Sequence, residues 1–104
     1  MIARLWRARA SHDNADGFEE LFRNQILPAI LGRQVAGLKK ATMLRRDLDE
    51  DVEFCALFWF DSIDAVREFA GDDYEVAVVP DAARELLSSF EPRAAHYRPI
   101  AGDR

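Results

Sequence analysis

The chain has 104 residues, a length for one domain, and its 49% hydrophobic residues supply an ordinary core without disulfides or metal. Against 14 Lys and Arg stand 19 Asp and Glu, a net charge of −5 that disfavours broad capture of nucleic acid or anionic lipid. The lone cysteine, Cys55, has no partner for an internal disulfide and lies in an apolar run, as expected of an inert thiol in a reducing compartment.

From Met1 to Ala10, Arg4, Arg7 and Arg9 interrupt any apolar stretch long enough for a secretory signal. Alternation of Ile2, Arg4 and Trp6 with Ala3 and Leu5 predicts a strand rather than an organellar presequence. No run of about 18 apolar residues occurs, so no membrane span is expected and the cytoplasm is the expected location. Ser11 to Asn14 supplies capping side chains, after which Phe18, Leu21, Phe22 and Ile26 recur at helical spacing. Pro28 predicts a kink or break near Ile26–Leu27 before the helix stops around Gly32. The piece from Ile26 to Leu31 is apolar on nearly all sides and requires cover beyond its own sheet.

After a turn at Gly37, Leu38 to Arg46 predicts a second strand, and Asp47 to Asp51 the polar tip of a hairpin into Val52–Phe60. In that third strand Val52, Phe54, Ala56, Phe58 and Phe60 share one face, and Cys55, Leu57 and Trp59 the other. Helices can cover one apolar face; a second copy of the chain is the simplest cover for the other. Asp61-Ser62-Ile63-Asp64 opens a helix that Gly71 stops. Pro80 opens a third, with Ala83, Leu86, Leu87 and Phe90 on its buried face. Arg93 to Ile100 predicts the last strand, and Ala101-Gly102-Asp103-Arg104 a loose tail. The fold class is therefore α+β: a ferredoxin-like βαββαβ plan over residues 1–104, with an extra helix before the last strand and an antiparallel sheet whose first and last strands are neighbours.

Glycine spacing excludes phosphate-loop and dinucleotide motifs, and no serine lies in a nucleophile elbow. Asp47, Asp49 and Asp51 begin like a calcium loop, but Val52 replaces its glycine and Phe58 its last carboxylate, leaving a solvated hairpin tip. His12 and His96 are too far apart, and too poorly accompanied, to suggest a metal site. Asp72 and Asp73 follow the second helix, where helix termination or an ion pair fits better than catalysis. His96 is the only strand histidine, fit for proton transfer, haem ligation or a structural hydrogen bond. Tyr97 points to the opposite face and fits a ligand contact or an interface. Trp6 and Trp59 fit either a clamp on a flat ring or packing, and Arg4 either an anion contact or the surface.

Along nearly its whole length the chain resembles the antibiotic biosynthesis monooxygenase domains of the dimeric α+β barrel superfamily. The resemblance rests on Met1-Ile2-Ala3-Arg4-Leu5-Trp6, Asp61-Ser62, Phe69-Ala70-Gly71, Ala77-Val78-Val79-Pro80, Leu86-Leu87 and His96-Tyr97. It implies a homodimer whose sheets pair across a two-fold axis, with a pocket between sheet and helices in each protomer. It also implies cofactor-independent oxidation of planar phenolic or quinone-type molecules, in which the substrate's own carbanion reduces dioxygen. On that basis His96 serves as base or oxyanion partner and Arg4 as electrostatic clamp, with Trp6, Trp59, Phe58 and Tyr97 as ring contacts. Where that group often has Trp before the Asp/Glu-Ser pair, this chain has Phe60, with Trp59 one place earlier and thus on the other face. Other roles hosted by the same fold are haem binding or degradation, with His96 as ligand, and a non-catalytic small-molecule-binding or assembly module.

Overall fold

The computed structural model describes residues 1–102. Strand β1 (Ile2–Ala10) leads into α1 (His12–Leu21), a π-helical turn (Phe22–Ile26) and α2 (Leu27–Gly32). Then come β2 (Leu38–Asp47), β3 (Val52–Phe60), α3 (Ile63–Ala70), α4 (Asp81–Leu86), β4 (Ser89–Phe90) and β5 (Ala95–Tyr97). The antiparallel sheet has the order β2-β3-β1-β4, and β5 also pairs with β1, so first and last strands are neighbours as the split βαβ plan requires. The sheet does not close on itself within one chain. Among the described residues no helix is long and apolar enough to cross a membrane. The expected C-terminal tail lies partly outside the described residues, at Asp103 and Arg104.

Local chemistry sets the helix boundaries. Ser11 accepts from the Asn14 amide at 3.3 Å and Ser62 from the Ala65 amide at 3.2 Å, each satisfying an orphan donor of a first turn. Pro28 does not break the first helix as expected. Instead the backbone widens before it into the π-helical turn, in which the Leu27 amide donates to the Phe22 carbonyl. Gly37, at φ 89°, lets β2 start hard against α3, where a Cβ would lie 2.7 Å from that of Ala65.

Two sequence expectations need correction at the C-terminal end. The third helix stops at Leu86, and Phe90, expected on its buried face, instead pairs with Ala8 in β4. The last strand, expected from Arg93 to Ile100, is only Ala95–Tyr97, and an unexpected short strand, Ser89–Phe90, precedes it; between them Pro92 lacks an amide to donate to the ladder. The intervening segment is stitched to the loop after α3 through Ala77 N to Pro92 O at 2.9 Å and Ala94 N to Glu75 O at 2.6 Å. Asp73 joins the same seam by pairing with Arg93 at 2.9 Å.

Strand alternation divides the sheet into two unlike faces. On the inner face Val52, Phe54, Ala56, Phe58 and Phe60 are all buried under the helices. Phe18 of α1 meets Phe54 at 4.6 Å between ring centroids, and Phe69 of α3 meets Phe60 at 5.6 Å. These contacts belong to separate clusters, one around Phe18, Val52 and Phe54 and one around Phe22, Phe58, Phe60, Val66 and Phe69. On the outer face Cys55, Leu57 and Trp59 are only half-buried, and Leu44 beside Cys55 is 49% exposed.

Candidate functional site

A cavity opens where the two clusters meet, between the inner face of the sheet and the helices. Its sheet side is made by Arg4, Trp6, Met43, Ala56 and Phe58; Phe18, Phe22, Ile26, Ile30, Phe69 and Ala83 face them, with Val78, Val79 and Pro80 at one side. The inner chamber has a volume of about 60 Å³ and shares Ile26, Ile30, Phe69, Val78 and Pro80 with an outer groove of about 310 Å³. The groove adds Leu21, Gln25, Ala29, Ala82 and Arg33, so among the described residues no carboxylate lines either part. Trp6 donates its indole N–H to the Glu91 carbonyl at 2.7 Å and presents only its ring to the chamber.

Arg4 is the one charged side chain in the inner chamber, and it is 5% exposed. Its Nη1 donates to the carbonyl of Tyr74 and, at 3.0 Å, to Nε2 of His96, its cross-strand partner. Its Nη2 donates to the Val76 carbonyl at 3.3 Å, and the guanidinium lies 5.6 Å from the Phe69 ring centroid. Burial pushes the Arg4 pKa down to about 10, still far above neutrality, so the group remains a cation. Arg33 reaches Phe69 as well, at 5.4 Å, while its Nη1 and Nη2 donate to the last carbonyls of α3.

Arginine only donates, so the contact at His96 makes Nε2 the acceptor and puts the imidazole proton on Nδ1. That Nδ1 is buried with no hydrogen-bond partner, and the ring is wedged edge-on against Tyr74, 5.1 Å between centroids. Desolvation first and the Arg4 charge second hold the His96 pKa below its ordinary value. Its basic nitrogen meets Arg4, and His96 is not among the described residues that line the chamber. The same two nitrogens do not fit a haem iron, since one is taken by Arg4 and the other buried.

A pH dependence follows from the neutral imidazole. An unfolded chain takes up a proton near pH 6.5, whereas the folded chain does so only at lower pH, so the unfolded state binds more protons in between. This contribution to stability is complete above pH 6.5 and is expected to be lost as pH falls towards the depressed value. Urea titrations at stepped pH will show a stability slope below pH 6.5 that His96→Gln flattens; equal slopes in the two chains contradict a neutral buried His96.

The sequence-expected site residues divide between the two faces. Arg4, Trp6 and Phe58 line the chamber, and His96 stands behind Arg4 on the same face. Trp59 and Tyr97 do not join them: both are cross-strand partners of Ala3 and so point to the outer face with it. Tyr97 is 55% exposed there. Strand parity separates Trp59 from Phe58 and Tyr97 from His96, so the expected ring contacts do not all share one cavity. The helical walls were legible in the sequence only as a core stripe. Their signal was the all-round apolar piece from Ile26 to Leu31, whose Ile26 and Ile30 face the chamber.

Neither a protein-family model nor a curated protein matches the sequence. Solved structures do match the fold. A protein from Bacillus cereus assigned as an antibiotic biosynthesis monooxygenase superposes with a TM-score of 0.70 at 12% identity, over 100% of this chain and 95% of that one. A variant of SnoaB, a cofactor-independent oxygenase from Streptomyces nogalater, gives 0.64 at 20% identity over 97% and 94%. A protein from Chloroflexus aurantiacus, also assigned as an antibiotic biosynthesis monooxygenase, gives 0.56 at 16% identity over 100% and 98%.

Proposed function

We propose, from the antibiotic biosynthesis monooxygenase fold that this chain carries, that its cavity binds a planar phenolic or quinone-type molecule and promotes oxidation by dioxygen without a cofactor. The observation that carries this reading is a chamber walled by Trp6, Phe58 and Phe69 with one buried cation, Arg4, and no acid. Aromatic walls hold a flat ring by its faces, and a fixed positive charge in a dry site favours an anionic oxygen on that ring.

In an anthrone-type substrate a CH₂ group becomes a carbonyl, one oxygen atom entering the product and the other leaving as water with the two hydrogens. The substrate supplies the electrons. The chain orients the ring and stabilises negative charge through Arg4; His96 keeps Arg4 in place. No lining side chain is a carboxylate or histidine, so the substrate proton leaves to solvent.

Oxygen uptake with a hydroxyanthrone is the test. Uptake matched one-to-one by quinone formation, and abolished in Arg4→Ala, is the expected result. A ligand-induced thermal shift without uptake assigns the cavity to binding alone, and neither signal overturns the reading.

The outer face completes the proposal. Its half-buried Cys55, Leu57 and Trp59 pack against a second copy of the chain, as an open sheet with apolar residues on both faces requires. Desolvation raises the Cys55 thiol pKa, which keeps it protonated and inert at this seam, in keeping with a reducing cytoplasm.

A further inference from the structure

Arg4 is 5% exposed, yet no carboxylate among the described residues pairs with it. Arg7, Arg9, Arg23, Arg45, Arg67 and Arg93 pair with acids, and Arg33, Arg46, Arg84 and Arg98, which pair with none, are exposed, so among the described arginines Arg4 alone is buried without an acid. Glu75, an acid close enough to influence His96, pairs with Arg93 instead. A cation removed from water without a counter-charge is costly, and two backbone carbonyls and an imidazole offset that only in part.

The guanidinium carries five N–H donors in a rigid plane. The two on Nη1 go to the Tyr74 carbonyl and His96, and one on Nη2 goes to the Val76 carbonyl. The Nε–H and the second Nη2–H donate to no atom among the described residues. Donors on adjacent nitrogens of that plane match the two oxygens of a carboxylate. The approach has the same sign of charge, since among the described residues Arg33 is the only charged side chain lining the outer groove.

We infer that the ligand is a planar aromatic carboxylate, its two oxygens on the free donors of Arg4, its ring against Phe58 and Phe69, and its apolar remainder in the outer groove. This rests on the reading of the cavity as an aromatic-ligand site and adds the charged group that the ring must carry. Neutral rings of the same shape leave the Arg4 donors unmet and are discriminated against for that reason.

The test compares 2-naphthoate with 2-naphthalenemethanol, the same ring with and without the charge, by calorimetric titration of the unmodified chain. The carboxylate is expected to bind at least about tenfold more tightly, the worth of a charge-assisted pair of hydrogen bonds. Arg4→Gln is expected to remove that preference. Equal affinities for the two ligands on the unmodified chain overturn the carboxylate and leave the aromatic site standing. Binding of neither overturns both. The comparison on the unmodified chain decides the matter even where the variant fails to fold.

Discussion

Replacing Arg4 with methionine is expected to destabilise the chain by about 1–3 kcal/mol and to release the segment from Tyr74 to Ala77 from the sheet. The substitution keeps an unbranched stem of similar bulk on the inner face of β1, so packing changes little. What it removes is the donor set for the Tyr74 and Val76 carbonyls and for His96 Nε2. Removing a desolvated cation recovers part of the loss, which is why the net effect is smaller than the sum of three orphaned acceptors. Arg4 therefore links the strand to the loop, and the loop borders the cavity at Val78 and Val79. Hydrogen exchange resolves the effect. The Ala77 and Ala94 amides, which bond across the loop seam, are expected to lose protection well before those of β1 and β3. Unchanged protection in the variant refutes a pinning role for Arg4.

Trp59→Glu is the second large effect, and it acts on the other face. Trp59 lies between Ala3 and Lys40 in register on the half-buried outer surface, where the proposal seats a second copy. Burying a carboxylate at such a seam costs about 3 kcal/mol or more, roughly a hundredfold in the dissociation constant. Light scattering is expected to find the unmodified chain as a dimer and the variant as a folded monomer at equal concentration. Because Trp59 points away from the cavity, the variant monomer keeps the inner-face core of Phe54, Phe58 and Phe60. A monomeric unmodified chain refutes the dimer, and a dimeric variant moves the interface elsewhere.

The elements most legible in the sequence were those governed by nearest neighbours. Alternation in Val52–Phe60 marks β3 to the residue, and Ser62 and Gly71 bracket α3 because capping and positive φ are local chemistry. Errors arose where a local signal was overridden by contacts in the assembled fold. Leu86, Leu87 and Phe90 have helical spacing, but Ser88 donates to Arg9 O and draws the chain into the ladder two residues earlier than Phe90. Pro28 promised a kink or break, but the chain continues through a π-helical turn just before it, with Phe22 buried and Ile26 half-buried.

For the candidate site, the split βαβ plan makes first and last strands neighbours, but the register that pairs Arg4 with His96 is set by the assembled sheet. Their chemical roles did not follow. Whether His96 is a base depends on which nitrogen meets Arg4, and whether Arg4 lacks a counter-charge depends on where every acid in the chain ends up. Both are consequences of packing among residues far apart in sequence. The sequence by itself determined strand parity, and parity was enough to separate Phe58 from Trp59 and His96 from Tyr97. Only the tertiary structure decided that the loop from Tyr74 to Val76 turns its carbonyls onto Arg4. It alone buries that cation without an acid among the described residues, because desolvation is a property of the assembled walls and not of any one segment.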